Sequence, residues 1–224
     1  MEIEKEEQET AAFGFTVERV SALSDGVFAV AITLLVLSIA VPTITGHLTS
    51  AKLAHGLANL WPHFFAYVLS FIIIGMFWMS HHALFSAIQE VDKGLLWINM
   101  IYLLLIVFVP YPTSLLALFG DVSTAVIFYA AIMAAAGLMQ ALLGFYATRN
   151  HRLVDDAFDL REANNYIRHS LEMASVFLLS IVIAPFNSSA AQYFWIVLFI
   201  LQFVDAYIYK RKDRKALARA EEAA

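Results

Sequence analysis

Six separate stretches of this chain are each mainly apolar over about twenty residues, the length an α-helix needs to cross the hydrocarbon of a bilayer. They run Ala22 to Val41, Leu57 to Met79, Leu95 to Leu118, Thr124 to Ala147, Ile167 to Ala184 and Ala190 to Tyr209. No water reaches the backbone inside lipid, so each stretch must close its hydrogen bonds internally as a helix. Of 224 residues, 61% are hydrophobic and only 15% charged, too little polar surface to clothe a water-soluble globule. The expectation is an all-α integral membrane protein with six transmembrane helices, its partner the lipid bilayer itself.

The basic residues orient it. With the N-terminus cytoplasmic, Lys5, Arg19, Lys93, Arg149, Arg152, Arg161, Arg168 and the cluster from Lys210 to Arg219 all fall on the inner side. Only Lys52 falls outside, so thirteen of the fourteen basic residues obey the positive-inside bias and both termini are expected in the cytoplasm. Five or seven spans would scramble that pattern. The domain plan is an acidic cytoplasmic tail over 1–17, a six-helix membrane domain over 18–210 and a charged cytoplasmic tail over 211–224. The opening MEIEKEEQET lacks the short apolar run and small-residue cleavage site of a signal peptide. The chain has no cysteine, which excludes a disulfide framework, thiolate metal site or cysteine nucleophile. Its net charge of -5 gives no reason to expect nucleic acid.

Prolines mark the boundaries. Pro42 falls where the first span should end, Pro62 in the first turns of the second, and Pro185 at the close of the fifth, where a missing N–H costs least. Pro110 and Pro112 lie within the third span and should kink it. The segment between spans four and five, Arg149 to Arg168, is expected to form a short surface helix or the start of span five.

The first span, ERVSALSDGVFAVAITLLVLSIAVP, carries the most information. At 100° per residue with Val30 at zero, Leu34 lies at about 40°, Leu37 at about -20°, Val41 at about 20° and Thr33 at about -60°, a single narrow stripe. Ser24 and Asp25 point away from it, at about 120° and -140°. A carboxylate near hydrocarbon is costly and needs partners. The topology brings Ser24, Asp25, Trp78, His81, His82 and Asn99 to one depth near the inner boundary, with Arg19 slightly beyond. Such a cluster reads as a hydrogen-bonded knot that fixes helix packing. Two sharper readings are a proton relay through Asp25 and the histidines, and a metal site on His81 and His82. Adjacent histidines diverge by about 100° on a helix, which disfavours chelation.

The segment RVSALSDGVFAVAITLLVL resembles the first helix of the bacterial transmembrane protein 175 family, prokaryotic homologues of an endolysosomal potassium channel. That family's signature is Arg, three residues, then Phe-Ser-Asp. HHALF and DKGLLWINMIYLLLIVFVPYPTSLL are similar to its second and third helices, and the six-span pattern covers nearly the whole chain. The resemblance implies a homotetramer in a prokaryotic plasma (inner) membrane, with four copies of helix 1 around a central pore and no carbonyl-lined filter loop. It implies a potassium-permeable leak channel with modest selectivity over sodium, not an enzyme, with no cofactor and with monovalent cations, chiefly K+, as the permeant partners. By the motif, Val30, Leu34 and Leu37 would form the apolar constriction and Thr33 the hydroxyl contributing to selectivity. Arg19, Ser24 and Asp25 would be tethers of the pore helix, supported by Trp78, His81, His82 and Asn99.

Two positions depart from the family pattern. Leu23 stands where the signature has Phe, and Ser38 where relatives often carry an acidic residue. The competing expectations are a membrane-embedded metal or enzyme site on Asp25, His81 and His82, and a proton-coupled carrier. His63, Gln140, Glu172 and Asp205 are assigned no function.

Overall fold

The computed structural model describes residues 15–197 apart from Thr45 and Asp156, and every ordered element in that range is helical apart from one isolated bridge, Ile88 to Val154. The helices are α1 (Val17–Leu34), α2 (Ser50–Asn59), α3 (Trp61–Ala87), α4 (Lys93–Phe108), α5 (Pro110–Phe119), α6 (Ser123–Thr148), α7 (Leu160–Ile183) and α8 (Ser188–Phe194). Single turns of 3-10 helix extend α1 over Leu35–Ser38 and α6 over Arg149–His151.

Five membrane-length apolar helices are present among the described residues: Val17–Ser38, Trp61–Ala87, Lys93–Phe119, Ser123–His151 and Arg161–Ile183. They match the first five expected spans. The sixth, Ala190 to Tyr209, begins in α8, and from residue 198 onward it lies outside the described residues, as do most of the acidic tail and all of the C-terminal tail. The short α2 buries none of its residues and joins the first two spans.

Capping residues set where these helices begin. The side chains of Thr16, Thr49, Asp92, Asp159 and Asn187 each accept a backbone N–H that the first turn would leave unpaired. Span three is interrupted where the kink is expected: Pro110 and Pro112 offer no N–H, and α4 gives way to α5 at Val109. The acidic segment after Arg149 resolves in favour of the second option: α7 starts at Leu160 and runs straight into span five.

The first span differs at its C-terminal end. It was expected to stay α-helical to Val41, but the α-helix stops at Leu34 and the 3-10 turn stops at Ser38, with Pro42 close behind. In 3-10 geometry residues i and i+3 eclipse, so Leu37 sits directly over Leu34 instead of drifting round the wheel.

At the centre lies α6, packed against α7 through small residues. A Cβ on Gly137 would come 3.1 Å from the Cβ and backbone nitrogen of Ala174, so a larger residue would have to push the helices slightly apart. Between helices in lipid there is no hydrophobic driving force. Close backbone contact and interhelical hydrogen bonds must hold the bundle together. Tyr129, Phe177 and Trp195 form a fully buried aromatic cluster, with Tyr129 and Trp195 ring centroids 4.9 Å apart.

Candidate pore helix and the polar knot behind it

The two faces of α1 have opposite surroundings. Val20, Ser24, Phe28, Ala31 and Leu35, at helical spacing, are buried against α3 and α4. Val30, Leu34 and Leu37 are 50%, 37% and 76% exposed, and Thr33 is exposed beside them. The stripe read from the sequence lies on this uncovered side, which also carries Leu23 and Val36. The Thr33 hydroxyl donates to the carbonyl of Val30 at 2.9 Å, so its proton is used within the helix. Its oxygen keeps lone pairs on the uncovered side.

Behind the buried face a one-way hydrogen-bond chain crosses three helices. The Asn99 side-chain carbonyl can only accept, so the His81 Nε2 at 2.9 Å carries the proton and donates to it. Asn99 Nδ2 donates to Ser24 Oγ at 3.1 Å, and Ser24 Oγ donates to the carbonyl of Val20 at 2.9 Å. All three side chains are essentially inaccessible. His81 is also stacked between Phe85 and Tyr102, at 4.3 and 5.6 Å between centroids, with Phe28 of α1 at 5.6 Å. Asp25 makes a separate tie by accepting the Trp78 indole N–H at 2.8 Å.

His82 faces away from His81. It is exposed, its ring 5.7 Å from that of Trp78. Among the described residues no group of three His, Asp or Glu side chains gathers to hold a metal. Arg19 joins neither tie. At 100° per residue it falls at about -20° from Val30, on the uncovered stripe. It lines, with Leu23, a groove of about 520 Å³ between α1 and α4. Ser24 and Asp25 thus bond to neighbouring helices, and the Arg19 side chain makes no such bond among the described residues.

Two further polar clusters were not anticipated. At the span-three kink, the hydroxyls of Thr113 and Ser70 lie 2.9 Å apart and those of Ser70 and Tyr129 3.0 Å apart, all buried, and Thr113 also reaches the Val109 carbonyl at 2.9 Å. The Val109 carbonyl also accepts the Thr113 N–H at 3.1 Å, so the hydroxyl is a second donor to it. At the other end of the bundle, Asp92 accepts from Leu95 N at 2.7 Å, from the Tyr146 hydroxyl at 2.7 Å and from Arg152 Nη2 at 2.9 Å. Burial pushes this carboxyl's pKa up, but the Leu95 N–H, Tyr146 and Arg152 outweigh it and hold the pKa below its ordinary value. An Asp before an apolar run is a legible cap. Nothing local in the sequence brings Tyr146 and Arg152 to it.

A model of the endosomal/lysosomal potassium channel TMEM175 family matches residues 19–110, which contain most of α1 and all of α3 and α4. A potassium channel of Streptomyces collinus is 41% identical over 147 residues, covering 63% of this chain and 69% of that protein. The chain belongs to the TMEM175 family. The crystal structure of a lysosomal potassium-selective channel TMEM175 homologue from Chamaesiphon minutus superposes with a TM-score of 0.73 at 29% identity, covering 84% of this chain and 97% of that one. An endosomal/lysosomal proton channel TMEM175 of Danio rerio is 28% identical over 138 residues. This chain spans 25% of that longer TMEM175 protein. The family match begins at Arg19 and takes in both ties, Ser24 with His81 and Asn99, and Asp25 with Trp78.

Proposed function

We propose that this chain is one subunit of a homotetrameric, potassium-permeable leak channel in a prokaryotic plasma membrane, with six spans and both termini in the cytoplasm. Four copies of α1 surround the pore, and the chain performs no covalent chemistry. The observation that carries the reading is the division of α1 into a face tied by side-chain hydrogen bonds and an uncovered line of Val30, Thr33, Leu34 and Leu37. A helix anchored on one side and bare on the other is suited to line a passage. The names of the Streptomyces and Chamaesiphon relatives supply the ion.

Val30, Leu34 and Leu37 form stacked apolar collars. A narrow apolar passage empties of water, and a cation without its hydration shell cannot cross it, so opening must widen and wet the constriction. Potassium is less strongly hydrated than sodium, and the hydroxyl oxygen of Thr33 offers a partial replacement for lost water. Without backbone carbonyls to strip the ion, selectivity is modest. Ser38 spends its hydroxyl proton on the Leu35 carbonyl at 2.7 Å and supplies no negative ring at that mouth.

The test is ion flux from potassium-loaded vesicles reconstituted with purified protein, with a pH-sensitive dye reporting proton movement in parallel. Potassium efflux above empty vesicles, faster than sodium efflux, is expected, and Leu34→Ala should raise the rate or reduce the discrimination. No flux while valinomycin controls respond would rule out the channel. Proton flux without potassium flux would place this chain with the vertebrate proton channels instead.

A further inference from the structure

The Asp92 cluster does more than cap a helix. It joins the segment before α4 to the end of α6 and to the loop beyond, through Tyr146 and Arg152. Arg152 binds the same carboxylate oxygen through Nε at 3.2 Å and Nη2 at 2.9 Å, and its guanidinium lies over the Tyr146 ring at 4.8 Å. Gly94 is cut to fit, because a Cβ there would collide with the Tyr146 hydroxyl. One backbone link runs alongside, the antiparallel bridge of Ile88 and Val154, whose Gln89 N–H donates to the Leu153 carbonyl at 2.8 Å.

From this clasp α4 leads to the pore helix. The carboxylate of Asp92 fixes the first turn through Leu95, which is fully buried, and Asn99 follows one turn later on the same buried face. Asp92 and Asn99 are seven residues apart, about 10 Å along a rigid helix and only about 20° apart around it. Asn99 holds Ser24 of α1.

We propose that Asp92, Tyr146 and Arg152 are positioning residues that set, through α4 and Asn99, how firmly α1 is held in its closed seat. The inference rests on α1 lining the pore. Loosening the clasp lets α1 leave its seat more often and widens the collars, without altering the residues an ion meets. The clasp therefore controls how often the pore opens and leaves unitary conductance and selectivity unchanged.

Single-channel recording of the full chain with Arg152→Gln and with Tyr146→Phe tests this. Open fraction should rise about two- to thirtyfold, the range of coupling expected from residues that touch neither site. The ratio of potassium to sodium permeability and the unitary current should stay at the wild-type values. A changed unitary current or permeability ratio, a lowered open fraction, or no change in a folded variant overturns the proposal. Hydrogen–deuterium exchange on the same variants needs no current, so it separates failure of this inference from failure of the channel reading. Faster exchange in Val17–Leu34 is expected. Faster exchange confined to the segments around Asp92 and Arg152 overturns the coupling.

Discussion

Asn99 stands between His81 and Ser24, two buried groups that have no other side-chain hydrogen-bond partner among the described residues. Asn99→Ala leaves the His81 Nε2–H buried and unpaired, at a cost of about 1–2 kcal/mol, between the average for membrane interhelical bonds and that for an orphaned donor. Thermal unfolding in detergent checks this against Trp78→Phe. The Trp78 bond is half exposed, so its loss should cost less than about 1 kcal/mol. Asp92 adds a pH dependence of known sign. Its pKa is depressed in the folded protein, so its stabilisation is full above the ordinary carboxylate range and is lost as pH falls through the folded value. The stability gap between wild type and Asp92→Asn should therefore be widest near neutral pH and shrink on acidification, as melting temperatures across a pH series will report. A constant gap would mean that the charge of Asp92 contributes nothing.

Among the elements, α6 and α7 are joined by fit and α1 by hydrogen bonds, and glycines expose the difference. A Cβ at Gly144 collides with the Tyr166 ring, whereas one at Gly26 of α1 meets nothing within 4 Å. Gly144→Ala should destabilise by about 1–3 kcal/mol through overpacking. Gly26→Ala should be neutral or mildly stabilising, and the same unfolding assay ranks the two. The helices themselves were legible because apolar length and proline placement are local signals: the five spans and the break at Val109 follow from them. The 3-10 end of α1 was not, since LVLS favours no particular helix and only the proline shortly beyond hints at an early stop. Topology placed Ser24, Asp25, Trp78, His81 and Asn99 at one depth. It could not say that Ser24 goes with Asn99 and His81 while Asp25 goes with Trp78, because that pairing depends on helix rotation. The clasp at Asp92 needed three segments to converge, and no local signal in the sequence brings them together.

At the scale of the whole molecule, the described part of the chain is a helical bundle in which α1, with its 3-10 turn, is the least covered of the five membrane-length helices. On its bare side Val30, Thr33, Leu34 and Leu37 run in line, an exposed hydroxyl among apolar side chains. If four such faces meet at an axis, they must govern ion passage. The absence of cysteine from the chain allows each position to be tested with one added thiol against a silent background. Potassium current through Leu34→Cys, recorded before and after a small water-soluble thiol reagent, is the most direct test, with Phe28→Cys on the buried face as control. Modification should block or strongly alter the Leu34→Cys current and leave the Phe28→Cys current unchanged. A Leu34→Cys channel that conducts as before, with its thiol shown to have reacted, would place the pore somewhere other than along α1.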